Sequence, residues 1–513
     1  MKVFLMQRDQ DFDLQRPLPP QEPELTQDLE LDTLFNAMAS GDKFLFDAAK
    51  RVILLGSDDL DTIRYRQDVL RDCLNHPAVI RDIYQILLEV IEKKRHRWMG
   101  IYGRSPSGIL GSSVEMVQMF VSQLRKLRQI ADLHASQFES EGFTRFFAML
   151  DEELDDAYFA SVVEHLRRLR FRNGVLISAT LGKGNEGAGH LLRKPNEETR
   201  GLIKRVFASQ SRSYSFRIHP RDEHGARALA DLQDRGINLV ANAVAQSADH
   251  IDSFFEVLRT ELAFYIGCLN LAETLAQLNE PVTFPVPAPA DKRRFAMRGL
   301  YDVCLALTMQ RQVVGNDVTA DGKDLVIITG ANQGGKSTFL RSVGLAQVMM
   351  QCGMFVAAES YQASVCQGLF THYRREEDAS MTSGKLDEEL SRMSVIADRL
   401  QPHAMALFNE SFAATNEREG SEIARQITRA LVERGVRVFF VTHLYDFAHS
   451  WYRGKVGNTL FLRAERQADG TRTFRLQEGE PLETSYGEDL YKSVFGTDEP
   501  DQADQLRSHE ATN

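Results

Sequence analysis

Hydrophobic positions follow two different periods along this 513-residue chain, and the change falls near residue 295. In residues 31–280, apolar side chains recur at steps of three and four, which predicts amphipathic helices. The stretch 78–95, AVIRDIYQILLEVIEKKR, is one example. The longest such pattern covers about 236–279 and predicts a helix of roughly 60 Å at 1.5 Å per residue. Residues 31–280 are therefore predicted to form a mostly helical domain, in which the longest helix can act as a lever or a spacer.

Short apolar runs that alternate with helical patterns replace this period after residue 295. Such alternation is typical of an α/β domain with a mostly parallel sheet, here predicted over 296–498. The candidate strands are LVIIT (325–329), AMALF (404–408), VRVFFV (436–441) and VGNTLFL (456–462). The composition of the remaining segments predicts a disordered leader, a Pro-rich linker and a flexible tail. These three segments are 1–30, 281–295 and 499–513.

Two glycine-rich segments follow apolar runs, and only one of them has the form of a phosphate-binding loop. GKGNEGAG (182–189) lies between GVLISAT (174–180) and SYSFRI (213–218), and no Ser or Thr follows its lysine, so it predicts a hairpin connection. LVIITGANQGGKST (325–338) instead joins a strand to a helix and has the spacing of a P-loop. Its backbone amides and the following helix N-terminus suit the phosphates of ATP. The residues predicted to bind ATP here are Gly330, Asn332, Gly334, Gly335, Lys336, Ser337 and Thr338, with the Ser337 hydroxyl also serving Mg²⁺.

Polar residues end two of the later strands. Asn409 and Glu410 follow AMALF, and His443 comes shortly after VRVFFV. Because the carboxyl ends of neighbouring parallel strands meet at one edge of a sheet, all three can face the γ-phosphate. We expect Glu410 to polarise the attacking water, His443 to contact the terminal phosphate, and Asn409 to hold Mg²⁺ through bound water.

Charge and cysteine content limit the kinds of surface, partner and cellular compartment that the sequence allows. The 61 basic and 72 acidic residues give a net charge of −11, which excludes a broadly basic surface but leaves two local strips, KKRHR (93–97) and HLRRLRFR (165–172). Each strip is either a solvated helix face or a contact for DNA phosphates. The five scattered cysteines predict reduced thiols in a cytoplasmic protein, without a zinc site. No apolar run is long enough for a membrane span, and the N-terminus lacks a secretory signal.

Several linked motifs resemble the ATPase domain of the MutS family of DNA mismatch-repair proteins. They are TGANQGGKSTFLR, QCGMFVAAESYQ, FFVTHLYDFA and SYGEDLYKSVFG, with weaker similarity in 61–77 and 261–275. The resemblance implies an ABC-type ATPase head that forms a homodimer with ATP at the interface, coupled through levers to DNA. It implies that VVGNDV, which contains Asn316, frames the adenine. It also implies that SMTSGKLDEEL (380–390) reaches the partner's γ-phosphate through Ser383 or Gly384.

The chain also departs from the family pattern. The usual Asp-Glu pair is Asn409-Glu410, and the glycine-rich loop after it is SFAATNE. The family's mismatch reader carries a Phe-x-Glu wedge, whereas FFE (254–256) lies here on the apolar stripe of a predicted helix and is expected in the core. We therefore expect no reader or connector domain, little preference for mismatched DNA, and slow hydrolysis that demands much Mg²⁺.

Two alternatives remain open at this stage. A nucleotide-switched dimeric scaffold with negligible hydrolysis would use the same P-loop. An ABC-type head of a transporter or chromosome-structuring protein is less favoured, because the chain lacks an LSGGQ signature.

Overall fold

The computed structural model describes residues 1–97, 105–172, 174–194, 214–375, 384–454, 458–467 and 471–482. Within these ranges the chain forms two compact units. Unit 1 comprises Met1–Leu5, Asp9–Phe12 and Asn75–Leu262, and unit 2 comprises Met6–Arg8, Asp13–Leu74 and Ala263–Asn513.

The helices and strands are numbered in chain order. The helices are α1 (Glu22–Asp28), α2 (Leu31–Ala39), α3 (Lys43–Leu55), α4 (Leu60–Asn75), α5 (Pro77–Arg97), α6 (Pro106–His134), α7 (Glu141–Glu153), α8 (Asp156–Arg168), α9 (Glu223–Gln277), α10 (Val303–Met309), α11 (Lys336–Gln351), α12 (Lys385–Arg399), α13 (Glu417–Glu433) and α14 (Tyr445–Arg453). The strands are β1 (Leu176–Leu181), β2 (Gly187–Arg193), β3 (Val286–Ala288), β4 (Phe295–Leu300), β5 (Asn316–Thr319), β6 (Leu325–Gly330), β7 (Ser360–Ser364), β8 (Leu369–Tyr373), β9 (Met405–Asn409), β10 (Arg437–Val441), β11 (Thr459–Arg466) and β12 (Arg472–Glu478).

Unit 1 is built from α5 to α8, the β1–β2 hairpin and most of α9, around an aromatic core. Phe120 of α6 packs on Phe255 of α9 with ring centroids 5.5 Å apart. Phe254 and Phe255 are 4% and 3% exposed, so the prediction that FFE belongs to the core is confirmed. The buried carboxylate of Glu261 accepts hydrogen bonds from the backbone N–H groups of Leu5 and Phe12, at 2.6 and 2.8 Å. These bonds tie the beginning of the chain into this unit.

The hairpin and the long helix of unit 1 differ in extent from their predictions. GKGNEGAG does connect two antiparallel strands, but the second strand is β2, paired with β1 from Leu176 opposite Arg193 onwards. The described part of the predicted strand, 214–218, is not a strand. Helix α9 begins at Glu223 rather than near 236. The prediction missed its first residues because 223–235 are mostly exposed and carry no apolar stripe that would mark a helix in the sequence.

The prediction of a disordered leader over 1–30 is wrong for the residues of α1. This helix starts with a proline in its first turn, which favours helix initiation. Leu25 and Leu29 are buried. Leu29 packs so closely on α11 that a Cβ on Gly344 would lie 2.6 Å from its Cδ2 atom. Composition alone missed this helix, because a few apolar residues suffice when a matching apolar surface is supplied from elsewhere in the chain.

The Pro-rich segment 281–295 is also more than a linker. Its residues 286–288 form β3, which pairs with β7 in a four-stranded sheet of order β3-β7-β4-β5. Proline is tolerated in β3 because the strand lies at the edge of that sheet.

The main sheet of unit 2 has the strand order β12-β11-β6-β10-β9-β8. Its five strands from β11 to β8 are parallel, and β12 is antiparallel to β11. All four strands predicted for this region are therefore confirmed, as β6, β9, β10 and β11. In the register, Val441 of β10 lies opposite both Ile328 of β6 and Asn409 of β9, so the carboxyl ends of these three strands meet at one edge. Within the described ranges, no helix combines the length and apolarity needed to cross a membrane.

Candidate functional site

The loop between β6 and α11 has the backbone conformation of a phosphate cradle. Gly330 and Gly335 have φ of +107° and +86°, values that L-residues rarely adopt. A Cβ on Gly330 would also lie 2.9 Å from the backbone nitrogen of Ala464 in β11. The loop therefore requires glycine at this position for both conformation and space. It leads directly into the N-terminus of α11, where free N–H groups favour an anion.

Lys336 is the first residue of α11 and is 5% exposed. Its Nζ donates hydrogen bonds to the carbonyl oxygens of Gly330 and Ala331, both at 2.9 Å. An ammonium group has three donors, so one remains for an anion held by the loop. Burial lowers the pKa of Lys336 to about 8, and the nearby Glu410 carboxylate partly opposes that shift.

Ser337 and Asn409 meet at the carboxyl edge of the sheet. The Ser337 hydroxyl donates a hydrogen bond to Asn409 Oδ1 at 2.9 Å. This contact joins the first turn of α11 to the last residue of β9. Oxygen atoms are the ligands that Mg²⁺ prefers, and the ion commonly keeps several waters. The donor set therefore fits a Mg²⁺ ion, although both side chains are neutral. In the described part of the chain, no cluster of three or more His, Cys, Asp or Glu residues offers a separate metal site.

Glu410 and His443 form a second polar pair beside the first. His443 Nε2 lies 2.9 Å from Glu410 Oε1, and both side chains are 31% exposed. This hydrogen bond, more than the charge of Lys336, lowers the pKa of Glu410, so the carboxylate is ionised at neutral pH. The backbone N–H of Glu410 donates to Val441 O at 2.9 Å, which fixes its position relative to β10. The partly exposed carboxylate is suited to orient a water molecule.

The structure thus brings together Lys336, Ser337, Asn409, Glu410 and His443 from the ends of three neighbouring strands. The remaining predicted ATP contacts in the loop, Asn332, Gly334 and Thr338, lie beside them in β6–α11. Ser383 lies outside the described residues. Gly384 precedes the first turn of α12 as its N-cap.

Asn316 reaches this region only indirectly. It is buried, and its side-chain amide bonds to the backbone of β12, donating to Phe474 O at 3.3 Å and accepting from Leu476 N at 2.7 Å. Phe474 in turn contacts the loop, because a Cβ on Gly335 would lie 3.3 Å from its carbonyl oxygen. The amide of Asn316 therefore holds β12 beside the P-loop, and its predicted contact with adenine stays a prediction.

Sequence reasoning missed the contribution of β12 to the site. Arg472 donates through Nε to Asn332 O at 3.3 Å, and the half-exposed Phe474 lies against Gly335. No local motif marks these residues. They reach the loop because β12 folds back antiparallel on β11, which is the neighbour of β6 in the sheet.

Two family models match the chain over separate ranges. Residues 58–278 match the MutS2 N-terminal domain, and residues 326–495 match MutS domain V. The second range contains the P-loop and the strand ends that carry Asn409, Glu410 and His443.

Individual relatives agree with these matches. The DNA mismatch repair protein MutS of Synechocystis sp. is 24% identical over 452 residues, which is 78% of this chain and 49% of that protein. The DNA mismatch repair protein MutS of Thermotoga maritima is 31% identical, over 45% of this chain and 29% of that protein. MutS protein homolog 4 of Homo sapiens is 25% identical, over 37% and 22%. The chain therefore spans about half the length of these relatives or less. With two family models covering most of its helical and α/β regions, the chain belongs to the MutS family.

Proposed function

We propose that this protein binds ATP with Mg²⁺ at the P-loop and hydrolyses it slowly. One observation carries the proposal: a buried lysine, a serine hydroxyl, an amide oxygen and an ionised carboxylate converge at one edge of a parallel sheet. The contacts Ser337–Asn409 and Glu410–His443, each 2.9 Å long, join residues that lie far apart in the sequence. Such convergence beside a glycine loop is the arrangement that phosphoryl transfer to water needs.

Each residue then has a defined role. Lys336 and the N-terminus of α11 bind the phosphates, and the glycines let the backbone approach them. Ser337 and Asn409 would hold Mg²⁺, partly through its waters, and the ion supplies positive charge to the phosphate oxygens. Glu410 orients the attacking water and accepts its hydrogen bond. His443 keeps the Glu410 carboxylate in place and ionised.

A specific feature predicts that hydrolysis is slow. Asn409 offers an oxygen to the metal but no negative charge, so the ion and its waters are held less firmly than by a carboxylate. The same feature supports the second candidate function, a dimeric scaffold that switches on nucleotide binding and turns over negligibly. The two differ only in whether Glu410 acts on water.

The assembly proposed here is an ABC-type head that dimerises with ATP at the interface. It rests on the match to MutS domain V and on the resemblance of 380–390 to a signature segment that completes the partner's site. The five cysteines are free and buried, which agrees with the proposed cytoplasmic location.

DNA is the proposed partner, because the relatives are named as DNA mismatch repair proteins. The basic strips provide less for phosphate contact than their sequences suggest. Lys94 pairs with Asp252 at 2.6 Å, and one carboxylate, Glu164, pairs with both Arg167 and Arg168 at 2.8 Å. Unit 1 instead exposes Tyr214 and Phe216, which are 86% and 79% accessible, close in sequence to Arg217. Exposed aromatic and arginine side chains suit stacking on bases and contact with phosphates.

The decisive experiment measures ATP turnover by the purified protein alone and with duplex, mismatched or branched DNA. We expect slow turnover that disappears in Lys336→Ala, together with the loss of ATP binding. Sedimentation with ATP and the Glu410→Gln variant, which should bind without hydrolysing, tests the dimer. Turnover or ATP affinity that persists unchanged in Lys336→Ala would refute the assignment of the site. ATP binding with no turnover under any condition would favour the scaffold.

A further inference from the structure

The turn that follows β9 has a strained backbone without glycine. Glu410 and Phe412 have φ of +55° and +64°. For non-glycine residues this conformation is unfavourable and persists only where the surroundings fix it. Ser411 and Phe412 are completely buried. The conformation that presents Glu410 is therefore set by what packs around its two successors.

Those surroundings are supplied by α12 and β8. The backbone N–H of Phe412 donates to the buried carboxylate of Glu389 in α12 at 2.8 Å. The side chain of His372 in β8 lies between the turn and α12. Its Nδ1 is 2.8 Å from Ser411 Oγ, and its Nε2 is 2.9 Å from the carbonyl oxygen of Glu389. One imidazole thus bridges the turn and the helix.

The chemistry of the two ring nitrogens assigns their roles. A carbonyl oxygen can only accept, so Nε2 of His372 must carry the proton and donate to Glu389 O. Burial lowers the pKa of His372 to about 4, with a further contribution from Arg392, so the ring is neutral. Nδ1 is then an acceptor, and the single proton of the Ser411 hydroxyl is shared between Nδ1 and the carbonyl oxygen of His372, which lies 2.5 Å from Ser411 Oγ. The ring also stacks on Phe412, with centroids 5.2 Å apart and an interplanar angle of 23°.

Helix α12 is more than an arbitrary neighbour of this turn. It begins at Lys385, within the segment 380–390 that the sequence predicts to contact a second protomer's nucleotide. We propose that His372 is a positioning residue, which holds Glu410 in its working conformation by tying the turn after β9 to α12. The proposal rests on the proposed function, since it takes Glu410 as the residue that acts on water. Its consequence is that a shift of α12 changes the position of Glu410.

Two substitutions separate the two halves of the bridge. His372→Asn keeps an acceptor near Nδ1 but cannot reach α12. His372→Gln places a donor near Nε2 but leaves the Ser411 hydroxyl with the carbonyl oxygen of residue 372 as its acceptor, in place of the ring. We expect each to lower kcat of ATP hydrolysis about tenfold to a hundredfold, because small misplacement of a reacting group costs that much. KM and ATP affinity should change less than about twofold, since the P-loop is untouched. Thr428→Val, a nearly isosteric change at a fully buried position of α13, is the control and should leave kcat unchanged.

A double-substitution cycle distinguishes positioning from general loss of packing. Ser411→Ala should lower kcat by itself. Its effect should be smaller in His372→Asn than in the unaltered protein, because each substitution breaks the same bridge between the turn and α12, and only the bond from Ser411 to the carbonyl oxygen of residue 372 is left for the second one to remove. Effects of the two substitutions that multiply independently would overturn the proposal, as would variants that retain kcat within about twofold. If His372→Asn does not fold, Ser411→Ala with Thr428→Val as control decides the question on its own.

Hydrogen exchange without nucleotide provides a test that does not depend on turnover. In His372→Asn, and in Ser411→Ala, peptides covering 405–416 and 385–399 should both exchange faster than in the unaltered protein. If the variants show this linked increase but the unaltered protein does not hydrolyse ATP, the proposed function is refuted and the bridge is supported. If the peptide of the turn exchanges at the same rate in the variants as in the unaltered protein, the bridge itself is refuted.

Discussion

The P-loop and the turn after β9 solve the same conformational problem in different ways. Both follow a parallel strand of one sheet, and both contain backbone in the left-handed region. In the P-loop this conformation falls on glycines at 330 and 335, although Gln333 also has a positive φ of +56°. In the turn it falls on Glu410 and Phe412, and no glycine is present.

The difference lies in where the conformation is encoded. Glycine adopts positive φ without steric cost, so most of the P-loop geometry is encoded in its own residues. The turn depends on Val441, Glu389 and His372, which arrive from β10, α12 and β8. In addition, α13 packs so tightly on the turn that a Cβ on Gly420 would overlap Phe412 O. We therefore expect nucleotide binding to tolerate changes in these surrounding elements and hydrolysis to be sensitive to them.

The sharpest way to separate the two regions is Glu410→Gln. Removing the carboxylate should lower kcat by about a thousandfold, within the range ascribed to general acid–base groups, because the amide cannot accept a proton from water. ATP affinity should stay within a few fold, since Lys336 and the loop are unchanged. Single-turnover hydrolysis and equilibrium ATP binding are the measurements. If the variant and the unaltered protein hydrolyse ATP equally fast, Glu410 is not the residue that acts on water.

The second change breaks the P-loop instead. Gly330→Ala places a Cβ 2.9 Å from the backbone of β11 at φ +107°, so the loop must deform. We expect ATP affinity to fall roughly thirtyfold, which is about 2 kcal/mol. Gly322→Ala is the matched control, because it has a positive φ of +68° but no atom within 4 Å of the added Cβ. That control should lose some stability and keep its ATP affinity; a similar loss of affinity in both variants would contradict the argument.

The pH dependence of ATP affinity tests the burial of Lys336. Its pKa of about 8 means that the ammonium is present below pH 8 in the free protein and is lost as the pH rises. Above pH 8, binding of the phosphates must take up a proton, so the dissociation constant should rise by up to tenfold per pH unit. Calorimetric titrations between pH 7 and 9.5 measure this. A flat profile in the unaltered protein would show that the pKa of Lys336 lies outside this pH range.

The smallest expected effect concerns the metal. Asn409→Asp adds a charge 2.9 Å from the Ser337 hydroxyl, where Mg²⁺ is proposed to bind. We expect the Mg²⁺ concentration for half-maximal turnover to fall about threefold to tenfold, since a charged ligand binds the ion more firmly. Turnover measured against Mg²⁺ concentration gives the result. An unchanged requirement would mean that Asn409 does not serve the metal.

Much of the candidate site was determined by the sequence itself. The strand, glycine loop and helix around Gly330–Ser337 are encoded locally, and the four strands of the sheet follow from short apolar runs. The order of the strand ends carrying Asn409 and His443 also allowed their meeting to be predicted, because parallel strands place their carboxyl ends at one edge. In each of these cases a local sequence pattern, together with the general geometry of parallel sheets, was sufficient.

Tertiary structure alone decided the features that depend on residues distant in sequence. Residues 22–28 carry a composition typical of disorder, yet they form α1, whose following residue Leu29 finds an apolar partner at Gly344. The hydrogen bonds from the Asn316 amide to the backbone of β12 were not predicted, because nothing near Asn316 in the sequence points to that strand. The conformation at Glu410 likewise comes from His372 and Glu389, which no local pattern connects to it. A sequence shows which groups could interact, but the strained turn and the buried amide are determined by the groups that packing brings within hydrogen-bond distance.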